Sequence, residues 1–198
     1  MKHIKRSFLS ILFPLTCICT NTHAQQNNIE LQKLADDDQN ARNSGPIDWK
    51  KLNVEDSLRG VRVFELIAAN ELKTGTDYLN AGIVFQHGHD TTASAMAVHS
   101  FKKALELDST LNRWWYAAAV DRDLMRRKLP QIYGTQFIQD NATGKYKRYE
   151  IDTTKVTDEQ RTYHFVETLA AQKEKEWRMN LKPIAQEYKE NNSIEKTI

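Results

Sequence analysis

Nine side chains of this chain are of the types that handle small anions and protons: Asp38, Gln39, Arg42, His87, Asp121, Arg122, Gln131, Tyr133 and Gln136. Two arginines can clamp a carboxylate or phosphate through paired N–H donors. A histidine moves a proton near neutral pH when a carboxylate orients its ring. Gathered around one pocket, Arg42 and Arg122 would hold the anion, and His87 would carry the proton with Asp38 or Asp121 behind it. Gln39, Gln131, Tyr133 and Gln136 would add neutral hydrogen bonds. Such a set suits binding or hydrolysis of a small anionic ligand. The same groups can instead satisfy one another as Asp–Arg pairs between helices, tied by the glutamines, and fix the fold without chemistry. The chain has no nucleophile elbow, dinucleotide fingerprint or phosphate-loop pattern, so no cofactor is expected.

Two further groupings have simpler readings. His87-Gly88-His89-Asp90, with His99 nearby, offers metal-ligand types, but Gly88 and Asp90 are accounted for by helix termination and capping, so no metal is expected. Trp114-Trp115 resembles a stacking platform. Neighbouring helical positions point about 100° apart, which puts one ring in the core and the other toward the surface.

The elements that must position these residues are mostly helical. Ile29, Leu31, Leu34 and Ala41 begin a first helix, which stops at Asn43-Ser44-Gly45-Pro46 and can bring Asp38, Gln39 and Arg42 onto neighbouring faces. A second helix is expected over 54–72, capped by Asn53, with Val54, Leu58, Val61, Phe64 or Glu65, Ile67 and Ala68 giving its helical period. Thr74-Gly75-Thr76 caps a third, about 77–87, and Asp90-Thr91 a fourth, about 92–107. A fifth, about 111–128, carries Asp121 and Arg122 and runs into Leu129-Pro130-Gln131-Ile132-Tyr133-Gly134-Thr135-Gln136-Phe137. Pro130 disfavours helix before it and Gly134 admits positive φ, so this stretch turns sharply.

Residues 136–139 and 145–149 read as a small hairpin, and Thr157-Asp158-Glu159-Gln160 is a capping box opening a helix that runs past Ala170. A last helix is expected from Pro183 to Tyr188. The expectation is therefore a mainly α, single-domain helical bundle over 25–190, with one small β-hairpin near 136–149 and a loose tail over 191–198.

Residues 1–24 have the pattern of an export signal: a basic start at Lys2, Lys5 and Arg6, an apolar run from Phe8 to Ile18, and Thr22-His23-Ala24 at the cleavage point. The expected product is periplasmic or extracellular. A lipid anchor on Cys17 or Cys19 is the competing form, although Pro14-Leu15-Thr16 departs from the usual lipoprotein pattern. Both cysteines fall within this segment, so the remainder holds no thiol or disulfide. Removing its three positive residues from the formal net charge of +2 leaves −1, with both signs interspersed. That pattern predicts no nucleic-acid partner, and no later stretch is apolar enough for a membrane span.

From Asp38 to about Leu169 the chain resembles an uncharacterised bacterial family, domain-of-unknown-function family 6624. The residues that carry the likeness are Asp38-Gln39-x-x-Arg42, Gln86-His87, Asp121-Arg122 and Gln131-Ile132-Tyr133-Gly134-Thr135-Gln136, with Asp152, Asp158 and Arg161 as weaker matches. The resemblance implies one domain and one shared polar cluster, and no particular activity. Tyr78, Ala81, Gly82, Phe85, Ala97, Phe101 and Ala104-Leu105-Glu106-Leu107-Asp108 resemble one degenerate tetratricopeptide unit over 78–108. That likeness implies local helical-hairpin packing and, as an alternative function, a structural or peptide-binding interaction module.

Overall fold

The computed structural model describes residues 25–43 and 45–194. The expected export segment with Cys17 and Cys19 lies outside them, as do Ser44 and 195–198. Seven helices and one two-stranded sheet make up the described chain: α1 (Ile29–Asn43), α2 (Trp49–Ala68), α3 (Gly75–Gln86), α4 (Thr91–Leu107), α5 (Trp114–Arg126), β1 (Phe137–Gln139), β2 (Tyr146–Arg148), α6 (Asp158–Tyr163) and α7 (Leu169–Ile194). The fold is mainly α with a small hairpin. No described helix is long and apolar enough to cross a membrane.

The start signals act as the residue types require. Thr74 opens α3 with a full capping box to Asp77, Asp90 accepts the Ala93 N–H to open α4, and Thr157 pairs reciprocally with Gln160 at α6. The α3–α4 hairpin is the tightest helix pair because Gly82 lets the Phe101 ring lie directly on the α3 backbone; a methyl at Gly82 would sit 2.6 Å from that ring. Around this contact gather Leu31, Val63, Leu66, Ala81, Val84, Phe85 and Ala97, the main core.

α2 departs from expectation twice. It starts at Trp49, capped by Asp48 rather than Asn53. Its expected apolar face also points outward: Val54, Leu58 and Val61 are 58%, 65% and 56% exposed. The inward face is Leu52, Asp56, Arg59, Val63 and Leu66, which has the same helical spacing but carries an ion-paired middle. Asp56 accepts from Arg42 of α1 at 2.6 Å, which satisfies the aspartate on the inward face beside Leu52, Val63 and Leu66.

Helix ends supply the other departures. α2, α5 and α6 each finish on a left-handed residue, Asn70, Lys128 and Phe165, followed by an N–H that reaches back five residues, as in Glu71 to Leu66, Leu129 to Leu124 and Val166 to Arg161. The stop at Phe165 divides what the sequence predicts as one helix from 158 past 170. Beyond it α7 is continuous to Ile194, so neither a separate helix over 183–188 nor a loose stretch over 191–194 forms.

The hairpin pairs Phe137 with Arg148, Ile138 with Lys147 and Gln139 with Tyr146. It leans on α7, where Asn180 and Glu176 accept the Tyr146 and Arg148 N–H groups.

Candidate functional site

The nine residues singled out by type fall into two groups on either side of one peptide bond, that between Asp121 and Arg122. No hydrogen bond or ion pair joins a member of one group to a member of the other among the described residues.

The first group is built on Asp121, which is fully buried. Its Oδ1 accepts the N–H groups of Ile132 and Tyr133, and its Oδ2 those of Gly134 and Thr135 together with the Thr135 hydroxyl, all at 2.8 Å. The loop after α5 is thus an amide nest closed around an internal carboxylate. Gln131 straps it: its Oε1 accepts the Gln136 N–H, and its Nε2 donates to the carbonyls of Gln136 and Tyr149. Gln136 donates to the Ala118 carbonyl and to Thr135 Oγ1.

The outward carbonyls of the same loop are also filled. Arg161 donates to Tyr133 and Ile132, and Gln172 to Tyr133. Gly134 has φ of +93°, and a Cβ there would collide with the Gln172 side-chain amide. Tyr133 lies with its ring 5.0 Å from that of His164, and burial, with the nearby Tyr116 and Asp121, pushes its hydroxyl up to about 12.

Asp121, Gln131, Tyr133 and Gln136 therefore do not share a pocket with Arg42 and His87. The Asp121 carboxylate, the Gln131 amide and the Gln136 Nε2 are taken up in holding the loop, and Tyr133 joins it through its backbone N–H and carbonyl. Arg161, a weak signal in the sequence, is a full member of this knot at 1% exposure. Gln172 was missed, because a glutamine on a charged helix carries no sign of its partner.

The second group surrounds Asp38, also fully buried. Its Oδ1 faces Arg42 Nη1 at 3.0 Å, and its Oδ2 meets His87 Nδ1 at 2.7 Å and accepts from Gln39 Nε2 at 2.9 Å. Asp56, equally closed off, takes Arg42 and Arg59 at 2.6 Å each. Asp56 and Arg59 were hidden in the sequence by the more conspicuous apolar stripe of the same helix. Their only signal is an i, i+3 acid–base pair in register with Leu52, Val63 and Leu66.

An ionised Asp38 holds the ring proton on His87 Nδ1 and leaves Nε2 as an acceptor. That atom has no partner among the described residues, and the side chain is 17% exposed. Arg122 comes to the same end of α3, donating from Nη1 to the Gln86 carbonyl at 3.2 Å. Its Nε is closed to solvent without a partner, and no carboxylate pairs with it among the described residues. Burial, reinforced by the Arg126 and Arg42 charges, draws its pKa down to about 10. The cluster sets Arg42, Arg59 and Arg122 beside Asp38, Asp56 and, at 3.9 Å from Arg59, Glu55; all three acids are taken by Arg42 and Arg59, and Arg122 is left with no carboxylate among the described residues.

The histidine turn serves local structure: Asp90 caps α4 and His87 is bound to Asp38. Among the described residues no three His, Cys, Asp or Glu side chains converge as metal ligands. Trp115 stacks on Phe101 at 5.7 Å, and Trp114 meets Trp115 edge-on. No protein-family model matches the chain, and neither a similar curated protein nor a similar solved structure was found.

Proposed function

We propose that this protein binds a small anion, a carboxylate or phosphate, at the Arg122 end of α3, with Arg42 and His87 at the border of the site. The observation that carries this reading is Arg122 itself. A guanidinium partly withdrawn from water, with one backbone acceptor and two other guanidiniums in its field, is an unfavourable arrangement in the empty protein. An anion supplies the missing charge and acceptors, in the bidentate manner for which arginine is suited. The Asp38–His87 pair extends the reading to hydrolysis of a phosphate ester: as His87 Nε2 takes a proton from water, the water oxygen bonds to phosphorus, the bond from phosphorus to the ester oxygen breaks, and the departing alcohol takes the proton back from the imidazolium that Asp38 steadies. Export to the periplasm or beyond, from the pattern of residues 1–24, belongs to the same proposal. So does the resemblance to family 6624, whose Gln131–Gln136 motif would fix α5 and so aim Arg122.

A second reading, a structural or peptide-binding module of repeat-like helical type, has its own support. The Gly82–Phe101 hairpin is close-packed, and the Val54, Leu58 and Val61 stripe is open to solvent. Arg122 would then be only a cation capping the C-terminal carbonyls of α3.

A thermal-shift series with inorganic phosphate, acetate and small phosphorylated and carboxylated metabolites, run on wild type and Arg122→Gln, separates the two. The ligand reading expects an anion-dependent rise in wild type that is absent in the variant, whose own melting temperature is equal or higher. Early melting of Arg122→Gln, with no anion shifting the wild type, leaves the scaffold reading.

A further inference from the structure

On the far side of α4 and α5 lies a groove of about 320 Å³, walled by Lys102 and Leu105 of α4, Arg113 and Tyr116 at the start of α5, and Tyr163 and His164 at the end of α6. None of these residues belongs to the clusters around Asp38 and Asp121. The size is at the lower end of small-molecule sites.

Arg113 is held rigidly. Its Nε donates to the Tyr163 carbonyl at 2.8 Å and its Nη1 to the Ser109 carbonyl at 3.2 Å. The rings of Tyr163 and Phe165 lie against its guanidinium at 4.5 and 4.7 Å. Phe165 carries its ring there from the left-handed position that ends α6. With one edge fixed and two rings against the ion, the Nη2 donors remain, without a protein partner among the described residues. Lys102 likewise has no ion pair among them. The acid on the groove wall, Glu106, is engaged by Lys103 at 3.5 Å.

His164 faces the same space. Its Nδ1 lies 2.9 Å from the Gln160 carbonyl oxygen, which fixes the proton on that nitrogen and leaves Nε2 as an acceptor. Aromatic rings gather on it: Tyr163 edge-on at 5.1 Å and Tyr116 tilted at 5.8 Å. The groove thus combines two cations from separate helices with flat aromatic faces. That is the complement of a doubly charged anion carrying a planar ring.

We infer that this groove is a second ligand site, which takes a planar-ring phosphate of the nucleoside-monophosphate kind, the phosphate on Lys102 and Arg113 and the ring on Tyr163 and Tyr116. The site is independent of the anion site at Arg122. His164 Nε2 accepts a hydrogen bond from the ligand's hydroxyl or amino group.

Isothermal titration of the purified protein with adenosine monophosphate, ribose 5-phosphate and adenosine tests this. In Arg122→Gln protein, where the anion site proposed above cannot contribute, the expected result is one equivalent of adenosine monophosphate bound at least tenfold more tightly than either fragment. Lys102→Glu, an exposed change that breaks no described contact, should weaken it at least tenfold, and Tyr163→Ala should weaken adenosine monophosphate by a larger factor than ribose 5-phosphate. Arg122→Gln should leave it unchanged. Equal affinity for adenosine monophosphate and ribose 5-phosphate, or no binding at all, overturns the inference. So does binding that survives Lys102→Glu but is lost in Arg122→Gln, since the phosphate would then sit at the other site.

Discussion

Asp121 and Arg122 are consecutive residues of α5, yet they end in opposite electrostatic conditions. Asp121 is sealed from water and receives five donors from one loop, four backbone N–H groups and the Thr135 hydroxyl. Arg122, about 100° further round the helix, finds one carbonyl and two like charges. One is a finished piece of construction and the other is an unbalanced one. A buried ion that the fold has satisfied is a poor candidate for ligand chemistry, because a ligand would have to displace its partners. A cation that the fold has left short of acceptors invites an anion. On this contrast rests our proposal that the Gln131–Gln136 loop is architecture and the Asp38–Arg42–His87–Arg122 side is where a ligand binds.

The sharpest way to break this comparison is Asp121→Ala. Five donors would lose their acceptor inside a sealed loop, and a cost of about 4 kcal/mol or more is expected in urea denaturation, with the loop's amide-exchange protection lost. A loss under about 1 kcal/mol would mean the nest closes without its anion.

Arg122→Gln should act the other way. With its pKa drawn from 12.5 down to about 10, the charged side chain opposes folding at every pH below that value, by up to about 3 kcal/mol. The burden falls as pH rises through the folded value toward the unfolded one. Allowing for the lost bond to Gln86, the variant should be about 1–2 kcal/mol more stable than wild type at neutral pH, and the gap should narrow above pH 10.

Tyr133 gives the opposite alkaline slope from within the knot. Its hydroxyl stays protonated to about 12 in the fold, whereas the unfolded chain ionises it near its ordinary value of 10, so stability is intact below pH 10 and declines between the two. Tyr133→Phe should remove about 2 kcal/mol of that decline, seen by comparing denaturation midpoints at about pH 9 and about pH 11.5. The smallest effect is expected of Gln39→Ala. Asp38 keeps Arg42 and His87 when Gln39 is removed, so a loss below about 1 kcal/mol is expected by the same denaturation assay.

Residue types and spacing determined most of the secondary structure of this protein. Local chemistry suffices for a capping box at Thr74 or Thr157, for a turn at Pro130 and Gly134, and for the Asn141–Gly144 turn that joins the hairpin strands, since each depends on groups a few residues apart. The polar residues worth testing were also legible by type, Asp38, Arg42, His87 and Arg122 among them. Which of two helical faces turns inward was not. The Val54–Leu58–Val61 stripe and the Leu52–Asp56–Val63 stripe have the same period, and contacts with other helices, the core around Val63 and Leu66 and the bond from Arg42 to Asp56, distinguish them. Likewise nothing in the order Asp121-Arg122 says that the first would be enclosed by amides eleven to fourteen residues ahead and the second brought to the end of α3, 36 residues behind. Burial and partnership are properties of space shared by distant segments, and the tertiary structure alone decides them.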